Sequence, residues 1–328
     1  MKTRTVIAGL GLCAVLTAPP GRALLVAEHP QLRTFIDEMV AEHGFDRSSL
    51  EDTFRRVQLR ESIIKAMEKP AERLPWHRYR EIFVHEENIE NGLFFWQRNA
   101  EALKRAEREY GVPAQIIVAI IGVETRYGRN MGGHLILDAL TTLMLQYPRR
   151  AEFFRAELKQ FLLLARDEGM DPASVQGSYA GAIGYGQFMP SSYRRFAVDF
   201  DADRKRDLIA DTTDAVGSVA NYLSSHRWRP GDPVYAPAAA SPSGEEWLST
   251  GREPRHTLEE LRRAGVRVEA ATNGGTRAGL VRLEARYGEE YRVAFPNFYV
   301  IMRYNNSINY AMAVAELGEQ IRKRRADI

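Results

Sequence analysis

This 328-residue sequence predicts a mainly α protein with a small β-sheet inserted late, an α+β fold dominated by helices, on three observations. From Leu32 to about Tyr110 apolar residues recur at spacings of three and four (Phe35, Ile36, Met39, Val40; Ile63, Ile64, Met67) with charged residues between them, the mark of amphipathic helices. A second helical block runs from Pro113 to about Trp228, interrupted by the glycine-rich GSYAGAIGYGQFMP of Gly177 to Pro190. Beyond it the pattern turns strand-like, in LVRLEARY, YRVAF and FYVIMRY.

The elements follow in order. Residues 1–23 read as an export signal: Lys2 and Arg4, an uncharged apolar stretch from Val6 to Ala18, then Gly21 and Ala23, small enough for a peptidase. Thirteen apolar residues are few for a bilayer span. Breaks at Gly44, Pro70 and Pro75 divide residues 24–110 into short helices, read as an N-terminal helical domain. Residues 111–230 form the second helical block. Pro230 to Gly244, rich in Pro, Ala and Ser, reads as an exposed connection. Thr257 then caps a short helix, LEELRRAG, inside a small β domain over 231–304. A last amphipathic helix, Tyr310 to Lys323, closes the chain and is placed against the N-terminal helices.

Charge and cysteine usage narrow the function. The export segment holds three basic residues and no acid, so the rest of the chain carries 42 basic and 43 acidic residues. No positive excess survives, which removes nucleic acid as a partner. The one cysteine, Cys13, lies in the export segment, so the mature chain must be held by its core rather than by disulfides. Leu12 stands where lipid attachment at Cys13 would call for Gly, Ala or Ser, which disfavours an anchor.

Three stretches carry candidate chemistry. In IIVAIIGVETRYG, residues Ile116 to Gly128, Glu124 falls at helical spacing from Ile117 and Ile120. Pro113 suits the start of that helix and Gly128 its end. A carboxyl on a buried face keeps its proton and serves as a general acid; the alternative is a carboxylate paired with Arg126 or Arg129. In Gly177 to Tyr193, four glycines in ten residues let a backbone approach a ligand, and aromatic rings beside amide and hydroxyl groups suit a sugar. Tight helix packing explains the same glycines. Asp199, Asp201 and Asp203 stand at positions one, three and five of a calcium loop, with Arg204 where glycine makes the turn and Ala210 where a glutamate belongs, so closure falls to Asp214. The alternative is an acidic turn whose Asp211 caps the next helix. Neither a zinc H-x-x-x-H pair, nor a Walker loop, nor G-x-S-x-G occurs.

Taken together, IIGVETRYG, LDALTTLMLQYPRRAEFF, GSYAGAIGYGQFMPSSYRRFAVDF, DAVGSVANYL and PNFYVIMRYNNSINYAMAV closely resemble the membrane-bound lytic murein transglycosylase B family, from about Gln31 to Gln320. The resemblance implies a lysozyme-like helical catalytic core with a flanking helical domain and a small β domain. It implies a periplasmic enzyme of Gram-negative type that cuts the β-1,4 bond between N-acetylmuramic acid and N-acetylglucosamine and leaves a 1,6-anhydromuramoyl product. No organic cofactor is implied, and the partners are peptidoglycan glycan strands and other cell-wall enzymes, met as a monomer. The catalytic glutamate of the family falls on Glu124. Saccharide-contacting positions fall on Tyr79, Ser178, Gln187, Phe188, Tyr222, Tyr304, Asn305 and Tyr310, and carboxylate-meeting arginines on Arg149 and Arg150. The calcium loop falls on Asp199, Asp201, Asp203, the Lys205 carbonyl and Asp214, with weak binding expected because Arg204 departs from the pattern. Two rivals stand beside this reading: a hydrolytic muramidase, which needs a second acid near Glu124, and a silent wall-binding protein, which would be free to lose Glu124.

Overall fold

The computed structural model describes residues 24–68, 74–268 and 272–327. The expected export segment with Cys13, and the expected break at Pro70, lie outside them. Six helices come first: α1 (Pro30–His43), α2 (Arg47–Arg55), α3 (Glu61–Met67), α4 (Trp76–Phe83), α5 (Glu86–Arg98) and α6 (Ala100–Tyr110). Their punctuation is local. Gly44 ends α1 at φ 66°, a left-handed turn that glycine makes without a Cβ clash, and the Asp46 side chain caps α2 by accepting the Ser49 N–H.

The second block holds α7 (Ala114–Thr125), α8 (Ile136–Gln146), α9 (Ala151–Asp167), α10 (Pro190–Phe196) and α11 (Thr212–Ser225). Two short strands, β1 (His134–Leu135) and β2 (Gln176–Gly177), pair antiparallel and tie the start of α8 to the glycine-rich loop. At the centre lies α7, buried on every side from Ile116 to Val123 and packed among α5, α6, α11 and the C-terminal helix.

Next come β3 (Tyr235–Ala240), α12 (Pro242–Glu245), β4 (His256–Thr257), α13 (Leu258–Arg263), β5 (Val266–Val268), β6 (Arg277–Glu284) and β7 (Glu289–Ala294). The five strands form one antiparallel sheet in the order β4-β6-β7-β3-β5. The sheet has its own small core, with Leu258, Leu261, Leu280, Val293 and Phe295 fully buried. Thr257 and Glu260 cap α13 reciprocally, as the sequence predicts.

Two expectations are corrected here. FYVIMRY is not a strand but most of α14 (Pro296–Tyr304): Pro296 opens a helix whose residues 296–302 are all buried, and a short buried apolar run carries no periodicity to tell strand from helix. The Pro- and Ala-rich stretch from Pro230 is no mere connection either, since it contains β3. Pro237 is tolerated because β5 pairs only with Ala238–Ala240, leaving that side of β3 unpaired at the proline.

Last is α15 (Ile308–Ala326), three residues longer at its C-terminal end than expected. It packs on α4, α5 and α7. A Cβ on Gly318 would lie 2.9 Å from the Gln115 carbonyl, so this glycine sets how closely α15 lies on α7. Gln115 meets Gly318 at one end and Glu124 meets Tyr310 at the other, so the two helices run antiparallel.

Candidate active site

Glu124 is the first residue of α7 past its buried stretch to come partly into the open. Ile117 and Ile120 are fully buried, but so is the whole circumference of the helix there. The carboxylate is therefore not one of an isoleucine face; it stands where the helix emerges from the core. Its motif neighbours hold that end. The Thr125 hydroxyl lies 3.1 Å from the Ile121 carbonyl and 2.9 Å from the Tyr185 carbonyl, and it accepts the Gly128 N–H at 3.0 Å. The Tyr127 hydroxyl donates to the Asn88 carbonyl at 3.1 Å. A Cβ on Gly122 would come within 2.5 Å of that hydroxyl, and one on Gly128 within 2.3 Å of the Tyr185 ring.

The helix stops at Arg126 and Tyr127, both left-handed at φ 50° and 59°, before Gly128 is reached. Such a backbone costs about 1–2 kcal/mol per non-glycine residue, so its persistence reflects the surrounding bonds. Arg129 pairs with Glu87 at 3.5 Å and donates to Asn91 at 2.8 Å, which directs its charge toward α5.

The glycine-rich loop closes on itself beside this helix end. Ile183 and Phe188 exchange backbone bonds of 2.9 and 3.0 Å around a tight turn with Gly184 at φ 73° and Gln187 at φ 50°. The Gln187 amide donates inward, to the Met131 and Gly184 carbonyls at 3.2 and 2.9 Å. Ser178 Oγ accepts the N–H groups of Ala180 and Ala182 at 3.3 and 3.0 Å. Both polar side chains thus shape the loop.

An aromatic cluster surrounds the acid. The Tyr310 hydroxyl donates to Glu124 Oε1 over 2.6 Å. Tyr304 stacks on Tyr310 with ring centroids 6.4 Å apart and planes 11° from parallel, and its hydroxyl donates to the Gly186 carbonyl at 2.6 Å. Phe188 lies 5.8 Å from both Tyr304 and Tyr222, and Tyr222 lies 4.7 Å from Tyr304 and donates to the Arg303 carbonyl at 2.6 Å. Burial first, and then the Glu124 charge, push the Tyr310 and Tyr304 hydroxyls well above the ordinary phenol range. Tyr310 therefore keeps its proton and stays a donor to Glu124. Tyr79, buried on α4 against Phe83, also bears on the Tyr310 hydroxyl.

Of the sequence-predicted residues, Glu124, Phe188, Tyr222, Tyr304 and Tyr310 form one connected cluster, with Tyr79 and Gln187 at its margin. Asn305 ends α14 with an extended backbone whose carbonyl accepts the Ser307 N–H at 2.7 Å. Arg149 and Arg150 are exposed on the 3-10 turn between α8 and α9, where Arg150 lies 4.1 Å over the Phe153 ring. They take no part in the bonds and ring contacts around Glu124 described above. Thr125, Tyr127 and Tyr185 also hold the site, and their positions beside Glu124 and among the glycines are the signal the sequence offers for them.

The acidic loop fits a hard cation. Asp199, Asp201 and Asp203 bring carboxylate oxygens within 4.8 Å of one another. Backbone N–H groups preshape it: Asp199 accepts from Asp203 and Arg204 at 3.1 and 2.9 Å, and Asp203 accepts from Lys205 at 2.8 Å. Arg204 adopts φ 76°, the turn for which glycine is suited. Asp214 is buried beneath, its two oxygens taking the Phe200 and Asp207 N–H groups at 2.6 and 2.7 Å. Burial raises its carboxyl to about 6 against those two bonds. Asp211 caps α11.

A helical core presenting one acid, bonded by a phenol beside an aromatic cluster and a glycine-rich turn, agrees with the lysozyme-like, saccharide-cleaving class that the family resemblance implies. The family described as Transglycosylase SLT domain matches residues 27–319. The chain is 45% identical over 305 residues to membrane-bound lytic murein transglycosylase B of Escherichia coli (strain K12), covering 90% of this chain and 83% of that one. Among solved structures it is similar to soluble lytic transglycosylase SltB1 from Pseudomonas aeruginosa (TM-score 0.86, 48% identity, 90% of this chain and 100% of that one). It is also similar to the Escherichia coli lytic transglycosylase Slt35 in complex with calcium (TM-score 0.85, 45% identity, 92% and 95%). The chain belongs to the transglycosylase SLT domain family, and the enzyme class that the sequence leads one to expect, a lytic transglycosylase, is the class of these relatives.

Proposed function

We propose that this chain is an exported, periplasmic lytic transglycosylase that acts as a monomer on peptidoglycan glycan strands. It cuts the β-1,4 bond between N-acetylmuramic acid and N-acetylglucosamine, and Glu124 acts first as acid and then as base. The observation that carries the reading is the Tyr310 bond to Glu124 beside the aromatic cluster. The proton on Glu124 passes to the glycosidic oxygen as that bond breaks, and the N-acetyl oxygen of the muramoyl residue relieves the positive charge at the anomeric carbon. Glu124 then takes the proton of the 6-hydroxyl as O6 bonds to the anomeric carbon. No water is consumed, so a second catalytic carboxylate to activate it is not required. Tyr304 lies nearest the sugars with the buried rings of Tyr222, Phe188 and Tyr79 behind it, Ser178 and Gln187 shape the loop, Asn305 contacts the saccharide beside Tyr304, and Arg149 and Arg150 meet substrate carboxylates away from this cluster.

Residues 24–110 serve as the flanking helical domain, 111–230 as the catalytic core and 231–304 as the β domain. The acidic loop, through Asp199, Asp201, Asp203, Asp214 and the Lys205 carbonyl, holds a calcium ion that neutralises the loop's charge and takes no part in the reaction. Among the described residues no helix is long and apolar enough to cross a membrane. The mass of the products tests the reading: digestion of purified peptidoglycan gives muropeptides one water lighter than hydrolysis would, and products of the hydrolysed mass would show a muramidase instead.

A further inference from the structure

A cavity of about 530 Å³ opens between the end of α11, the start of α14 and the loop that leads into β4. Five guanidinium groups line it, those of Arg227, Arg229, Arg252, Arg277 and Arg303, against one lining carboxylate, Glu253. Glu253 is taken by Arg303 at 2.7 Å, and Arg229 reaches Asp232 only at 4.0 Å. Arg277 donates to the Pro254 carbonyl at 3.2 Å. The side chains of Arg227 and Arg252 have no hydrogen bond or ion pair among the described residues, and each residue is exposed. Like charges gathered around a concavity with so little compensation repel one another, and an anion bound among them relieves that repulsion.

Arg227 carries a second observation. It sits at φ 70° just past the end of α11, where glycine would close the helix without strain. An arginine there tolerates a backbone that costs about 1–2 kcal/mol, and its side chain is sent into the cavity.

The cavity also adjoins the aromatic cluster. His226, one of its lining residues, lies with its ring 4.2 Å from that of Tyr222, and Arg303 supplies the carbonyl that holds the Tyr222 hydroxyl. A strand bound at Tyr304 therefore has this pocket beside it, since Arg303 lines the one and precedes the other. Its volume falls within the roughly 300–1,000 Å³ of sites that enclose whole organic ligands, and spaced guanidinium forks suit several carboxylates better than one small ion.

Resting on the proposed action on glycan strands, we infer that this arginine-lined cavity binds the acidic peptide stem of the strand through its free carboxylates, making it a second, charge-reading subsite at the edge of the β domain. The test uses the full mature chain. Calorimetry with a synthetic γ-glutamyl tripeptide bearing free carboxylates detects binding to the parent chain, and the same peptide with its carboxylates amidated does not bind. Arg252→Gln combined with Arg227→Gly, the latter compatible with the left-handed backbone, weakens the interaction at least about tenfold, since charge-assisted bonds are the strong ones. In turnover the same pair of substitutions raises KM on stem-bearing strands and leaves KM and kcat on peptide-stripped strands unchanged, a split that a merely structural role would not produce. Equal tripeptide affinity in parent and variant overturns the inference, as does saturation of the cavity by inorganic phosphate with no peptide binding. A chain that binds the tripeptide and releases no anhydro product sinks the transglycosylase reading while supporting the pocket.

Discussion

The phenol of Tyr310 donates to Oε1 of Glu124 over 2.6 Å and so joins the first turn of α15 to the last turn of α7, across 186 residues of sequence. A hydrogen bond to a charged group is worth about 1.5–3 kcal/mol, enough to fix which rotamer the acid adopts. Tyr310→Phe is accordingly expected to lower kcat by about ten- to a hundredfold with KM little changed. Because burial and the Glu124 charge hold the Tyr310 proton well above the ordinary phenol range, the defect persists on the alkaline side of the pH-rate profile. A defect that disappears there would mean that the phenol ionises in the working enzyme, against this geometry.

The placement of Tyr310 depends on how closely α15 lies on α7. At Gly318 a Cβ would meet the Gln115 carbonyl, which is backbone and cannot swing aside. Gly318→Val should therefore destabilise the fold by about 1–3 kcal/mol and reduce kcat together with stability. Urea unfolding and turnover of the variant check this; a wild-type midpoint would show that the helices have slack.

In the acidic loop, Asp199 accepts two loop N–H groups besides offering oxygens to a cation. Asp199→Ala is thus expected to lower the melting temperature even in chelator, so the informative quantity is the calcium-induced shift, which it abolishes. Arg204→Gly relieves the left-handed strain at φ 76° in free and loaded forms alike, and by taking a positive charge from beside the ligands it enlarges that shift. Thermal melts with and without calcium decide the matter; an identical shift in all three chains would remove the loop as the site.

How much of this was legible beforehand depends on where the determining contacts lie. Caps and breaks at Gly44, Asp211 and Thr257 act within a few residues, and the text carries them. The strand β3 hid behind Pro237 and a run of alanines because only its distant partners β7 and β5 make it a strand. FYVIMRY misled because α14 is buried on all sides and keeps no polar stripe. At the site, helical spacing located Glu124, but the reason for its setting lies in α14 and α15, far along the chain. Periodicity could not nominate Tyr304 or Tyr310; they came from family resemblance.

Glu38 on α1 is bonded by Arg155 and by Lys159, at 3.0 Å, both on α9. Partial burial alone would raise its carboxyl; the two cations outweigh it, and the net result is a value below the ordinary one. A group lowered on folding stabilises the native state above its unfolded value of about 4.3 and loses that contribution as pH falls through the lower folded value. Glu38→Gln should cost about 1 kcal/mol at neutral pH, and the gap between the two chains should close in acid. Denaturation series between neutral and strongly acidic pH measure it; a gap that widens in acid would reverse the sign assigned to this pair.

Under the proposed function, turnover depends on Glu124 as the proton carrier. Glu124→Gln keeps the size of the side chain and its place beside Tyr310 but cannot give up or regain a proton in this way. Incubated with purified sacculi, the variant is predicted to bind them as the parent chain does and to release no anhydromuropeptides. Release at the parental rate would contradict the assignment.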